Sequence, residues 1–158
     1  MLIQVIMLTM MLFLPSPQEV EDTYIKAEYQ TYVEEISESY NLNPNLILAM
    51  IESESSGRHK VVSKAGCVGL MQINPKKHQD RMDRLGVTDL KDAYSNILVG
   101  CDFIAELYTR HDSDYAVLMA YNEGEYGGAI KRAKEGKYSR YSRKIVARAE
   151  ELEVARNG

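Results

Sequence analysis

Only two cysteines, Cys67 and Cys101, occur in the 158 residues. Their spacing fits no metal motif, and spacing alone cannot supply the geometry a disulfide requires, so a bridge and two separate buried thiols stand as equal readings. Histidine is nearly as scarce: His59, His78 and His111 show no zinc-helix spacing and no evident nucleophile partner, which leaves ordinary surface or core positions. A phosphate-binding glycine loop, a dinucleotide fingerprint and a G-x-S-x-G elbow are all missing, as are internal repeats, low-complexity tracts and long linkers. Excess positive charge is absent too. The formal net charge is −4, which gives no reason to expect nucleic acid as a partner. Lysines and arginines do crowd residues 131–148, but Glu135 lies among them and a solvated helix face accounts for the run.

What is present describes one soluble globular domain. Apolar residues make up 45% and charged residues 27% of the chain, enough for a sizeable core at this length. The N-terminus departs from that average. Met1 to Leu14 is almost wholly apolar, breaks at Pro15 and Pro17, and contains no basic residue; the first is Lys26. Fourteen residues are few for a bilayer span and nearer a signal-peptide apolar region. Residues 1–16 are therefore read as a signal peptide or a short membrane-associating helix. The expectation is export to the periplasm, the cell envelope or the medium, with membrane contact only through residues 1–14. Residues 17–158 form the remaining domain.

Apolar residues recur with a helical period from Val20 to Ser39. Asn43-Pro44 then reads as an N-cap followed by proline at the first helical position, with Gly57 as the C-terminal stop. Residues 58–74 carry no helical stripe and read as irregular chain with a short β-hairpin. Helical segments resume at about 75–85, 94–110, 114–122 (capped by Asp114), 126–135 and 139–155. The fold class is mainly α: a compact helical domain with one small β-hairpin or irregular insert.

One carboxylate sits against this pattern. In "LILAMIESESSG" (46–57), Leu46, Ile47, Met50 and Ile51 form the inner stripe, and Glu54 falls in its middle, whereas Glu52 points the other way. Lost hydration raises the pKa of a carboxyl on such a face, and the negative end of the helix dipole adds to the effect. Both keep the acid protonated near neutral pH, as a general acid requires. On the pattern alone, a glutamate snorkelling from the stripe edge to water is the commoner arrangement.

Five separated stretches change that balance. "IESES" (51–55), "AGCVGLMQINP" (65–75), "NILVG" (96–100), "AYNEG" (120–124) and "YSRKIV" from Tyr141 resemble, in order and spacing, the motifs of soluble lytic transglycosylase catalytic domains, which share a fold with goose-type lysozyme. The resemblance covers about residues 38–148. It implies a lysozyme-like fold acting on peptidoglycan glycan strands at the β-1,4 bond between N-acetylmuramic acid and N-acetylglucosamine. It also implies Glu54 as the catalytic acid and then base, a 1,6-anhydro product formed by the C6 hydroxyl, and no metal or organic cofactor. Ser55, Met71, Gln72, Tyr121, Asn122 and Tyr141 are carried over as substrate-binding or site-lining residues. Tyr121 and Tyr141 are expected beside Glu54, Asn122 is a candidate for the N-acetyl group, and Ser55 is expected to fix local backbone. Ile97 and Gly100 are expected in packing.

Asp89, Asp92, Asp102 and Glu123 have no pattern argument comparable to that of Glu54, and a single acid suits a nucleophile built into the substrate. The chain also departs from the family pattern: Glu123 replaces a small residue, Glu125-Tyr126 follow Gly124, and Cys67 replaces a small apolar residue. Alternatives are a hydrolytic goose-type-like muramidase, including a phage lysin, and a non-catalytic wall-binding or assembly module. Wall remodelling, lysis, and service to an envelope-spanning secretion or conjugation apparatus are all compatible settings.

Overall fold

The computed structural model describes residues 23–157. The expected leader, residues 1–16, lies outside them. Helix α1 (Ala27–Tyr40) buries Tyr29, Val33 and Ile36 on one side. It begins later than the periodicity from Val20 suggested. Ile25 is buried just ahead of it, while Thr23 and Tyr24 reach across to Glu52. Asn41 closes α1 in the left-handed conformation, its N–H bonding to the carbonyls of Ser37 and Glu38.

Helix α2 (Pro44–Ser55) starts as its sequence dictates: the Asn43 side chain accepts the N–H of Asn45 at 2.9 Å and Pro44 occupies the first turn. It ends at Ser55, ahead of Gly57 as expected, with Ser56 itself in the left-handed conformation. Leu46 to Ile51 are all buried, so α2 is enclosed around its girth and forms the centre of the domain. Helix α3 (Pro75–Leu85) repeats the same start, with Asn74 capping Lys76 and Gly86 ending the helix. His78 has non-helical dihedrals and kinks its first turn.

Helix α4 (Ala93–Tyr108) is capped by Asp92, whose side chain accepts the Ser95 N–H at 2.9 Å. Helix α5 (Asp114–Glu123) is capped by Ser113, with Asp114 the first helical residue and not the cap. Helix α6 (Ala129–Lys134) begins only after Gly128, whose positive φ halts the expected start at 126. Helix α7 (Arg140–Asn157) closes the domain.

The chain is mainly α, as expected. Helix α2 packs against α1 and α7, α4 against α1, α3 and α5, and α5 against α6 and α7. A small satellite cluster of Ala116, Met119, Ala129 and Ala133 docks α6 on α5, with Tyr115 and Tyr138 stacked beside it at 3.8 Å. Residues 58–74 form no β-hairpin. Among the described residues they make only the isolated bridges Val62–Val68 and Val68–Ile73. Left-handed residues at Gly66, Gly69 and Gln72 turn the chain too often for a ladder to extend.

Candidate active site

The end of α2, the 63–74 segment, the first turn of α3, the middle of α4 and the end of α5 surround a cleft of about 350 Å³. Glu54, Gln72, Tyr121 and Asn122 line it, together with Cys67, Lys77, His78 and Phe103. Glu54 is half-buried, and its Oε1 accepts a hydrogen bond from the Tyr141 hydroxyl at 2.6 Å. Burial pushes its carboxyl above the usual range, and the Tyr141 bond works in the opposite direction without cancelling it. Tyr141 and Tyr121 are themselves held well above the ordinary phenol range, first by burial and then by the neighbouring Glu54. Both therefore remain neutral hydrogen-bond donors.

Glu54 is the one carboxylate lining the cleft among the described residues. Burial pushes Asp102 up, but Arg84 and Arg81 outweigh it and hold the carboxyl below its ordinary value. Asp102 is buried and also accepts the Tyr40 hydroxyl. Asp89 and Asp92 are occupied in backbone bonds to Lys91 and Ser95 at the entrance of α4. Glu123 pairs with Arg132 of α6. Glu125 is gripped by Arg110 and His111, so neither added acid stands unpaired at the rim.

The floor of the cleft is built by a close fit between two motif segments. The Asn96 carboxamide, fully buried on α4, accepts the Met71 N–H at 2.8 Å and donates to the carbonyls of Val68 and Leu90. A Cβ at Gly69 would lie 2.3 Å from the Asn96 amide, and one at Gly100 would lie 2.3 Å from the Met71 sulfur. Clamped this way, the chain at Gln72 takes a φ of +50°, a conformation a glutamine rarely adopts. The Gln72 amide then donates to Gly69 O at 3.0 Å and to Val61 O at 3.4 Å. Met71 is fully buried and does not line the cleft; it contributes its carbonyl, which accepts the Tyr121 hydroxyl at 2.6 Å. Ser55 is likewise buried, its hydroxyl turned back to the Ile51 carbonyl. Four of the seven singled-out residues thus line one cleft, Tyr141 joins it through its hydrogen bond to Glu54, and Ser55 and Met71 support it from behind.

Sequence reasoning did not find the opposite wall. The His78 ring packs tilted against Phe103 with centroids 4.6 Å apart, and Phe103 packs tilted against Tyr121 at 5.4 Å. Burial, then Arg81 and Lys77, lower the His78 pKa, so its ring is a neutral partner for a polar ligand. No spacing rule links residues on α3, α4 and α5, and His78 reaches the cleft from a kinked first turn that periodicity does not foresee. Cys67 and Cys101 are both free, the first at the cleft and the second buried in the core.

A family model described as the Transglycosylase SLT domain matches residues 31–146. The chain is 35% identical over 88 residues to a transglycosylase of Enterobacteria phage PRD1, covering 56% of this chain and 32% of that protein. It is 33% identical over 114 residues to an endo-type membrane-bound lytic murein transglycosylase A of Klebsiella pneumoniae, covering 63% of this chain and 55% of that one. The chain thus spans between a third and about half of the length of these curated relatives. Among solved structures, the lytic transglycosylase Slt of Pseudomonas aeruginosa, determined as an inactive mutant, superposes with a TM-score of 0.66 at 17% identity. The superposition covers 81% of this chain and 24% of that one, and it establishes a shared fold. With the family match spanning most of the chain and the five motifs gathered about one cleft, the protein belongs to the transglycosylase SLT domain family.

Proposed function

We propose that this chain is a peptidoglycan lytic transglycosylase that cleaves the β-1,4 bond between N-acetylmuramic acid and N-acetylglucosamine. The observation that carries the reading is Glu54: a half-buried carboxyl, raised in pKa, hydrogen-bonded by a neutral phenol, and the one carboxylate on the cleft among the described residues. A protonated Glu54 donates to the glycosidic oxygen as the bond to C1 breaks. The resulting carboxylate then takes the proton of the C6 hydroxyl as that oxygen attacks C1, closing a 1,6-anhydro ring. The enzyme returns to its starting protonation state and no water is consumed. With no second carboxylate on the cleft among the described residues, this one-acid cycle fits better than a two-carboxylate hydrolysis.

The remaining lining groups have roles that follow from their chemistry. The Tyr141 hydroxyl steadies the Glu54 carboxylate formed in mid-cycle, and the Tyr121 hydroxyl fixes the Met71 carbonyl beneath it. Asn122 and the strained Gln72 segment offer amides to acetamido and hydroxyl groups of sugar. The Tyr121–Phe103–His78 wall supplies faces against which sugar rings pack. The setting consistent with this substrate is the cell envelope, where the chain would act in wall remodelling, in lysis, or in the service of a secretion or conjugation apparatus. Among the described residues, no helix is long and apolar enough to cross a membrane.

The test is product analysis of digested sacculi by mass spectrometry. Anhydro-muramic ends are expected; reducing ends without them would assign the chain to hydrolytic muramidases. Glu54→Gln should lower the rate by about 10²–10⁴-fold, the usual contribution of a positioned acid–base. Equal and slow lysis by parent and variant would instead indicate a non-catalytic wall-binding module.

A further inference from the structure

Glu52 does not face water. Its side chain is only 9% exposed, because α7 covers the side of α2 that periodicity assigned to solvent. Arg148 of α7 grips it through two nitrogens, Nε to Oε2 at 2.8 Å and an Nη to Oε1 at 3.2 Å. Thr23 donates to Oε1 at 2.6 Å, and the Tyr24 hydroxyl donates to the Glu52 carbonyl at 3.3 Å. A forked, largely desolvated arginine–carboxylate pair is among the more rigid polar contacts available between two helices.

Its position gives it a consequence for the site. Arg148 follows Tyr141 by seven residues, which places both on the same face of α7, about 10.5 Å apart along its axis. Glu52 precedes Glu54 by two. Helices α2 and α7 therefore meet at two polar points, Tyr141 on Glu54 and Arg148 on Glu52, with the buried Ile145 lying between them on α7.

We propose that Glu52 and Arg148 are positioning residues, whose forked pair fixes the seating of α7 on α2 and so holds the Tyr141 hydroxyl against Glu54. This role rests on the catalytic reading of Glu54 given above. Beside the pair, α7 also presents Lys144 and Glu151, and the N-terminal segment presents Tyr24. The groups facing Glu54 are Tyr141 from α7 and Tyr121 from α5. Across the cleft stand Cys67 from the loop and Lys77 and His78 from α3.

The direction of the effect separates positioning from simple charge removal. The Tyr141 bond lowers the Glu54 pKa, so a small displacement of α7 that breaks this bond while Glu54 stays buried lets that pKa rise. Removing the negative charge of Glu52 with α7 unmoved would lower it instead. The experiment follows the Glu54 titration by carbon-13 NMR in the full chain, together with steady-state kinetics on soluble glycan strands. It uses Glu52→Gln, the milder Arg148→Lys, Tyr141→Phe, and Glu52→Gln combined with Tyr141→Phe.

Glu52→Gln is expected to move the Glu54 titration and the alkaline limb of the rate profile upward. It should also lower kcat about tenfold with KM changed less than about twofold, the signature of misplaced catalytic geometry. Arg148→Lys, which keeps charge but not the fork, should shift both in the same direction by less. In the Tyr141→Phe background, Glu52→Gln should add no further rise. A folded Glu52→Gln or Arg148→Lys protein with an unmoved or lowered Glu54 titration overturns the proposal, as does an additive rise in the double variant. An upward titration in a chain whose parent cleaves no glycan supports the positioning while overturning the catalytic reading.

Discussion

At the scale of single residues, Glu54 sets catalysis against stability. Its pKa is raised in the folded protein, so folding favours the protonated form and the cost of ionisation grows as pH rises through and above the unfolded value. Glu54→Gln cannot ionise. The variant should melt at the parent's temperature near pH 4 and about 1–4 °C above it at pH 8, measured by calorimetry. A gap that shrinks with rising pH would contradict the buried-acid argument. The inward placement of Glu54 was legible because three hydrophobic neighbours at helical spacing define a face. The role of Glu52 was not, because periodicity tells which side of a helix meets the nearest core and is silent about a second helix covering the other side. That second contact comes from α7, nearly a hundred residues later in the chain.

At the scale of elements, the 68–73 segment and α4 behave as one part. Asn96 satisfies one N–H and one carbonyl of the chain below the cleft and the Leu90 carbonyl ahead of α4, and Gly69 and Gly100 permit the approach. Asn96→Ala should cost about 2–4 kcal/mol by leaving buried backbone groups unpaired. Gly100→Ala should cost about 1–3 kcal/mol by displacing Met71. Both costs are readable from denaturant melts, and both variants should lose activity beyond what stability explains, since Gln72 and the Tyr121 anchor move with Met71. Melts unchanged by Gly100→Ala would show that the contact is slack. The start of α2 was legible where Asn43-Pro44 marked it, whereas at α5 the cap proved to be Ser113 and Asp114 the first helical residue. The starts of α1 and α6 were placed too early, because the chain at 23–25 is held across to Glu52 and Gly128 is left-handed just ahead of α6.

At the scale of the whole molecule, α2 runs through the centre with α1 and α7 packed on it, α4 and α5 pack on those two, and α3 packs on α4. Unfolding should accordingly be one cooperative transition, and because both thiols are free, reductant should leave its midpoint unchanged. A reductant-sensitive midpoint would indicate a bridge. The fold class was readable from sequence because helical periods dominate it, whereas the cleft joins five segments that no local pattern relates. The two thiols also differ in what can reach them. Cys101 is sealed in the core, but Cys67 opens onto the space beside Glu54. A fluorophore or an alkylating agent should therefore modify Cys67 alone, report occupancy of the cleft as a change in emission or labelling rate, and be slowed by bound glycan, which makes the native chain its own sensor without any engineered cysteine.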